Sequence, residues 1–339
     1  MELFLNSYGT YLHIKDEMFS VRVRDTKTKQ VTTHPPIAAH KVERIFLTKG
    51  QALSTDAVQL ALKHNIDIVF LEYEDGHPLG RIWHSGLGST TRIRKRQLEA
   101  SINQEAVNWV RAWLSQKMQN QIDFLKDLKK HRKQQHEWLD SQIALIQHQQ
   151  DQLKATEAPT ITPLAASFRG WEGTASRIYF QTLSQLLTPE YRFNGRSSRP
   201  AADPFNAFLN YAYGVLYSQV EKALMIAGLD PYLGFLHRDD YNQLSMVYDF
   251  IEPYRIYAQR VVFRLFSGKK VNQAHTSPLA GGVRLNEVGK PFLMENFNDY
   301  FRNTKIRYRN RNQTRANALQ QDAHHFANQL LEHKPPSDL

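Results

Sequence analysis

Apolar residues follow two rhythms along this chain, and the change comes near residue 88. Over the first part the rhythm is two. In "FSVRVRD", Phe19, Val21 and Val23 face one way and Ser20, Arg22 and Arg24 the other, as in a strand with one buried face. "TYLHIKD" alternates likewise, whereas "VERIFL" and "IDIVFLE" are continuous apolar runs expected of buried strands. Between these two, Ser54 with Asp56 close behind predicts the start of a short helix. The turn signals "DG" at 75–76 and "GLGST" at 86–90 close the unit.

From about Thr91 to Lys154 the spacing is helical and free of proline. Ile93, Leu98, Ile102, Val107, Val110, Trp113 and Leu114 form a predicted apolar stripe, and a Gln-rich amphipathic stretch continues the helix. "ATEAPTITP" at 155–163 breaks it, further helices are expected to the end, and the tail "KPPSDL" is expected to be disordered. No repeat of fixed period is present. The expectation is an α+β protein: a small β-rich domain over residues 1–88, then a larger all-α domain over residues 89–339.

Composition adds a partner class. The 339 residues suit two domains. A formal net charge of +10 and a pI near 9.6 favour a polyanion, nucleic acid or an acidic membrane surface. Fifteen tyrosines and eighteen phenylalanines could stack bases as well. The chain has no cysteine, so disulfides, thiolate nucleophiles and Cys-based zinc sites are excluded. No apolar run is long enough to span a membrane and no leader pattern opens the sequence, so a soluble cytoplasmic protein is expected. No Gly-rich phosphate loop ends in Lys-Ser or Lys-Thr, which argues against nucleotide hydrolysis.

Candidate chemistry gathers in "GFLHRDDYNQLSMVYDFIEPYR", residues 234–255. Asp249 and Glu252 lie three residues apart, which on a helix puts both carboxylates on one face. The same pair before Pro253 also reads as an acidic capping box. Glu172, between Trp171 and Gly173, is an odd choice for a solvated face, although a partner at Arg169 or Arg177 would explain it. Taken with His237, two such carboxylates make a mainly oxygen, hard ligand set suited to Mg²⁺ or Mn²⁺. Asp239 and Asp240, directly after "HR", are rival carboxylates.

Several motifs then occur in order: Lys117, Asn120, Gln121 and Leu125 in "KMQNQIDFL"; Glu172-Gly173 before Tyr179; Asp203, Asn206, Asn210, Tyr211 and Tyr213 in "DPFNAFLNYAY"; "GLDPYLGFLH"; and Asp249, Glu252 and Arg255. In this order they resemble the CRISPR-associated integrase of spacer acquisition, the first-numbered CRISPR-associated protein family, through most of the chain. The resemblance implies a divalent ion held by Glu172, His237 and Glu252, with Asp249 fixing the geometry and Arg255 facing a phosphate or Asp249. It implies a homodimer built on the β-rich domain, a small ferredoxin-like CRISPR adaptation protein as partner, and strand transfer from the 3′-hydroxyl of a short duplex. A branched-DNA nuclease and a non-catalytic DNA scaffold are the alternatives.

Phosphate contacts are expected from "RIRKR" (Arg92, Arg94, Lys95, Arg96), from Lys269 and Lys270, and from Arg302, Lys305, Arg307, Arg309 and Arg311. "KKHRK" at 129–133 reads as a solvated helix face, and His131, His136, His324 and His325 as surface residues.

Overall fold

The computed structural model describes residues 1–5, 7–25, 28–71, 78–82, 90–237 and 243–333. The turn signals at 75–76 and 86–89, the rival carboxylates Asp239 and Asp240, and the tail at 334–339 lie outside the described residues. The chain divides into two compact units, Met1–Gly88 and Ser89–Leu339.

The first unit holds strands β1 (Glu2–Leu5), β2 (Thr10–Lys15), β3 (Met18–Arg24), β4 (Val31–Thr33), β5 (Ile37–Ala38), β6 (Arg44–Leu47), β7 (Ala52–Leu53), β8 (Asp67–Leu71) and β9 (Pro78–Ile82), with helix α1 (Thr55–Lys63) before β8. One sheet runs β1-β6-β8-β9, with β1, β6 and β8 parallel; the other runs β4-β3-β2-β7, with β5 pairing on β3. Ser54 caps α1 as expected, accepting from the Ala57 N–H. The alternation in β3 holds for Phe19 and Val21, both buried, but Ser20 is buried as well. β6 is buried throughout and β8 over its first three residues, whereas Phe70 is 36% exposed, and their register aligns Glu2, Arg44 and Asp67 in one row. Arg44 lies 3.9 Å from Glu2 and 3.4 Å from Asp67, so its buried guanidinium is charge-compensated from both neighbouring strands.

In the second unit the expected long helix is three: α2 (Thr90–Ser101), α3 (Gln104–Lys129) and α4 (His136–Ala155). Asn103 restarts the helix by accepting from the Glu105 N–H. α4 folds back on α3, where Gln150 donates to the Ser115 carbonyl at 2.8 Å. The predicted stripe holds at Ile93, Val107, Val110, Trp113 and Leu114 but not at Leu98 and Ile102, which are 54% and 72% exposed. α2 instead buries Ile93, Gln97 and Ala100, because the Gln97 amide donates to the Asp230 and Leu233 carbonyls.

Next come α5 (Ala165–Gln185), α6 (Pro204–Ile226), α7 (Ser245–Phe250), a one-turn segment Glu252–Tyr254, α8 (Arg255–Ser267), α9 (Gly289–Asn298) and α10 (Arg315–Glu332). α6 is the core helix, with Phe205, Phe208, Leu209, Leu216, Val220 and Leu224 all buried. The "DPFN" motif builds its start: Asp203 accepts from the Asn206 N–H at 2.8 Å with Pro204 in the first turn. Asn206 and Asn210 donate to the carbonyls of Gly195, Ser197 and Ser198, pinning that loop. α6 stops at Gly228, whose φ of +82° suits glycine and lets Leu229 N–H reach the Leu224 carbonyl.

The unit is mostly helical rather than all-α. It carries two hairpins, β10 (Thr276–Leu279) with β11 (Gly282–Leu285), and β12 (Lys305–Tyr308) with β13 (Arg311–Thr314). Arg309 and Asn310 both have positive φ, as a two-residue hairpin turn requires. Among the described residues no helix is long and apolar enough to cross a membrane.

Candidate active site

Lys117 organises the site. It lies on α3 in phase with Trp113 and Gln121, and is buried with them. Its Nζ donates to Glu172 Oε1 and sits 2.5 Å from Glu252 Oε2. Two acidic residues from distant helices thus share one ammonium. Burial opposes the charge on Lys117, yet Glu252 and then Glu172 outweigh it and raise its pKa.

Glu172 lies inside α5 rather than before a helix. Ser176, one turn on, donates to the same Glu172 Oε1 at 2.7 Å. Neither Arg169 nor Arg177 is its partner; Arg169 reaches toward the Leu236 carbonyl at 3.5 Å. A Cβ at Gly173 would meet nothing within 4 Å, so that side of the helix is open to an approaching group.

Glu252 opens the turn between α7 and α8 and is buried. Arg255 donates from Nε to Glu252 Oε1 at 2.9 Å, and its guanidinium packs 5.1 Å from the ring centre of Tyr213 and 5.4 Å from that of Tyr217. Arg255 therefore serves Glu252, not Asp249. Burial opposes ionisation of Glu252, but Arg255 and Lys117 prevail and bring its pKa down to about 2. Asn120, one turn after Lys117, donates to the Pro253 carbonyl at 2.7 Å and ties α3 to the turn.

Asp249 is no capping residue. It lies in α7, and its Oδ2 accepts from the N–H groups of Phe235 and Leu236 at 2.6 and 2.9 Å. Its Oδ1 faces His237 Nδ1 at 2.5 Å and accepts from the His237 N–H at 3.3 Å. Burial pulls the His237 pKa down, but the Asp249 hydrogen bond and charge raise it overall. The ring is 33% exposed, and its Nε2 meets no hydrogen-bond partner among the described residues. Trp113, Phe235, Phe250 and Phe326 pack ring against ring behind this loop and hold it.

The structure therefore brings Glu172 and Glu252 onto one cation and holds His237 on Asp249. Among the described residues no three His, Asp or Glu side chains converge closely enough to hold an ion as they stand. The donor set nevertheless fits a hard divalent cation. Two carboxylates already share a cationic contact, and the buried Glu252 Oε2 touches Lys117 outside hydrogen-bonding angles. The imidazole has Nδ1 fixed by a carboxylate and Nε2 open, the arrangement that orients metal-binding histidines. Lys117 was absent from the sequence-predicted site. Its signal was a lysine in phase with an apolar stripe.

The predicted phosphate contacts divide. Arg92, Arg94 and Lys95 are exposed on α2, with Arg94 3.8 Å from Asp230. Arg96 is 12% exposed and bonded to Glu99, Glu105 and the Leu330 carbonyl, so it points inward. Lys269, 3.8 Å from Glu190, and Lys270 are exposed after α8. Lys305, Arg307 and Arg311 project from the second hairpin, Arg309 turns to Asp322 at 3.3 Å, and Arg302 donates to Gln219.

A strand-built unit followed by a helical unit that joins two glutamates on one buried lysine, and that carries exposed basic stretches, defines an α+β protein with an acidic site on a cationic body. Residues 3–299 match the family described as CRISPR associated protein Cas1, and the chain belongs to that family. A relative from Archaeoglobus fulgidus, named a CRISPR-associated endonuclease Cas1, is 31% identical over 92% of this chain and 91% of its own. Two solved structures share the fold. A Cas1 protein from Thermotoga maritima has a TM-score of 0.78 at 21% identity, covering 100% of both chains. A casposase bound to integration product has a TM-score of 0.80 at 20% identity, covering 99% of this chain and 92% of that one.

Proposed function

We propose that this chain is a divalent-metal-dependent DNA endonuclease and integrase that inserts short duplexes as new spacers into a CRISPR array. Family membership, the name of the Archaeoglobus relative and the casposase likeness support this reading. The observation that carries it is the convergence of Glu172 and Glu252 on the Lys117 ammonium. In the reaction the 3′-oxygen of the incoming strand forms a bond to phosphorus, and the bond to the target strand's 3′-oxygen breaks. The proton lost by the attacking hydroxyl is balanced by one taken up by the leaving oxygen, so no nucleotide is consumed.

Glu172, Glu252 and His237 through Nε2 would hold Mg²⁺ or Mn²⁺, which when bound stabilises charge on the attacked phosphate and favours ionisation of the attacking hydroxyl. The protein's own groups prepare that site. Asp249 keeps the proton on Nδ1 and so presents the Nε2 lone pair. Arg255 keeps Glu252 ionised. Lys117 must withdraw its ammonium from between the carboxylates, and is then free to face the phosphate. Arg92, Arg94, Lys95, Lys305, Arg307 and Arg311 lie along the DNA backbone without reading sequence. The β-rich unit makes a homodimer, and two dimers flank a dimer of a small ferredoxin-like CRISPR adaptation protein in the cytoplasm.

Strand-transfer gels with Glu172→Ala, His237→Ala and Glu252→Ala test the reading. Each should abolish joining while leaving DNA affinity near wild type, and near-wild-type product from any one removes that residue from the site. Product length separates integration from branched-DNA hydrolysis, since joined strands grow and hydrolysed ones shorten. Calorimetric titration with Mn²⁺ separates both from a non-catalytic scaffold.

A further inference from the structure

The Glu252–Tyr254 turn is tied from two sides. Asn120 holds the Pro253 carbonyl from α3, and the Tyr254 hydroxyl donates to Asp322 Oδ2 at 2.8 Å from the other side. Asp322 lies on α10 and is 5% exposed. Its second oxygen serves the β12–β13 hairpin: Oδ1 accepts from the Tyr308 hydroxyl and, at 3.3 Å, from Arg309 Nη2. One buried carboxylate thus joins the turn that carries Glu252 to the hairpin that exposes Lys305, Arg307 and Arg311. The side-chain amides of Gln313 and Gln321 bond each other both ways, which seats the hairpin on the same helix.

Arg309 differs from the other hairpin cations. It stands in the tight turn between the strands, with a φ of +42°. It faces Asp322 yet keeps 36% of its side chain in solvent. A DNA phosphate arriving beside Lys305, Arg307 and Arg311 offers this guanidinium a second anion, and phosphate takes arginine in paired, charge-assisted hydrogen bonds. Asp322 would then keep only its two phenolic donors, and a carboxylate charge shared among fewer donors holds each of them more strongly. We propose that Asp322 is a positioning residue for Glu252: DNA on the hairpin draws Arg309 outward, and Asp322 passes that change through Tyr254 to the turn bearing the glutamate. Glu252, Pro253 and Tyr254 are all buried in a single turn, so a shift at one end reaches the other with little slack to absorb it. Seating of a backbone and placement of the acid become one event. The assignment deepens the DNA-joining reading and rests on it for the substrate, but the relay itself needs neither metal nor strand joining.

Hydrogen exchange of the full chain, metal-free, with and without a short blunt duplex tests the relay. In wild type the duplex should slow exchange in peptides over 305–314 and over 250–256, the latter by about fivefold, the lower end of ordinary coupling between sites. Arg309→Gln removes the input and Tyr254→Phe the output. Each should keep the slowing at 305–314, where DNA still rests on Lys305, Arg307 and Arg311, and lose it at 250–256. A group that merely holds the fold together would change exchange equally with and without DNA and leave the ratio intact. An unchanged ratio at 250–256 in either variant, or no slowing there in wild type, therefore overturns the proposal. Should Tyr254→Phe not fold, Arg309→Gln at the exposed hairpin tip decides alone. A wild-type chain that does not bind the duplex overturns the DNA reading and this proposal together, whereas bound duplex without a response at 250–256 overturns the proposal only.

Discussion

Asp249 meets His237 twice, its Oδ1 lying 2.5 Å from the ring Nδ1 and 3.3 Å from the same residue's backbone nitrogen. One carboxylate oxygen thus fixes both where the imidazole sits and which nitrogen it turns outward. Replacing that charge while keeping the shape isolates the effect. Asp249→Asn should lower the His237 pKa, seen by NMR titration of the ring protons, and cut strand joining by about 10–100-fold. An unchanged His237 titration would show that Asp249 does not set the proton on that ring.

The sign of the pH dependence follows. His237 has its folded pKa raised above the usual 6.5, so its pairing with Asp249 adds stability that is fully present below about 6.5 and lost as pH rises through the folded value. Denaturant melts of wild type minus Asp249→Asn should show that loss on the alkaline side and none on the acid side.

Glu252 gives the opposite sign. Its pKa falls from 4.5 to about 2, so its ionised form contributes stability above pH 4.5 that disappears as pH drops through 2. One unit is worth about 1.4 kcal/mol, giving about 3 kcal/mol for this buried group. Acid unfolding of Glu252→Gln should lack this component, measured as a flatter stability profile between those two pH values.

Lys117→Met removes the ammonium that Glu172 and Glu252 share. Stability at pH 7 should drop by about 3–5 kcal/mol, because the buried Glu252 carboxylate loses a counter-charge. Mn²⁺ should bind at least about tenfold more tightly by calorimetry, since no ammonium competes for the oxygens. Weaker Mn²⁺ binding in this variant would contradict a shared position for the two cations.

Two changes to basic residues should have opposite phenotypes. Arg96→Gln breaks contacts to Glu99, Glu105 and the Leu330 carbonyl, so thermal melts should lose about 1–3 kcal/mol with DNA affinity kept. Neutralising Lys305, Arg307 and Arg311 together should leave the melt alone and reduce the salt slope of DNA binding by up to about 3.

Much of the architecture was legible because period two and period 3.6 are local properties of a sequence. The change of rhythm near residue 88, the Ser54 cap and the buried runs at β6 and β8 needed no long-range information. What escaped depends on partners far along the chain. Asp249 looked like a capping residue because nothing nearby reveals that its oxygens serve Phe235, Leu236 and His237. Leu98 and Ile102 looked like core because the amide of Gln97, bonded to carbonyls beyond residue 229, decides which face of α2 is buried. The Lys305–Tyr308 strand was hidden in a run of cations, although its alternation of cationic and apolar residues is visible once sought.

Lys117 and Glu172 stand 55 residues apart in sequence, and Glu252 joins them from a still later turn. A nascent chain that ends before Glu252 holds an incomplete cluster, in which Lys117 can meet Glu172 alone. The shared-ammonium cluster therefore closes only after most of the chain has left the ribosome.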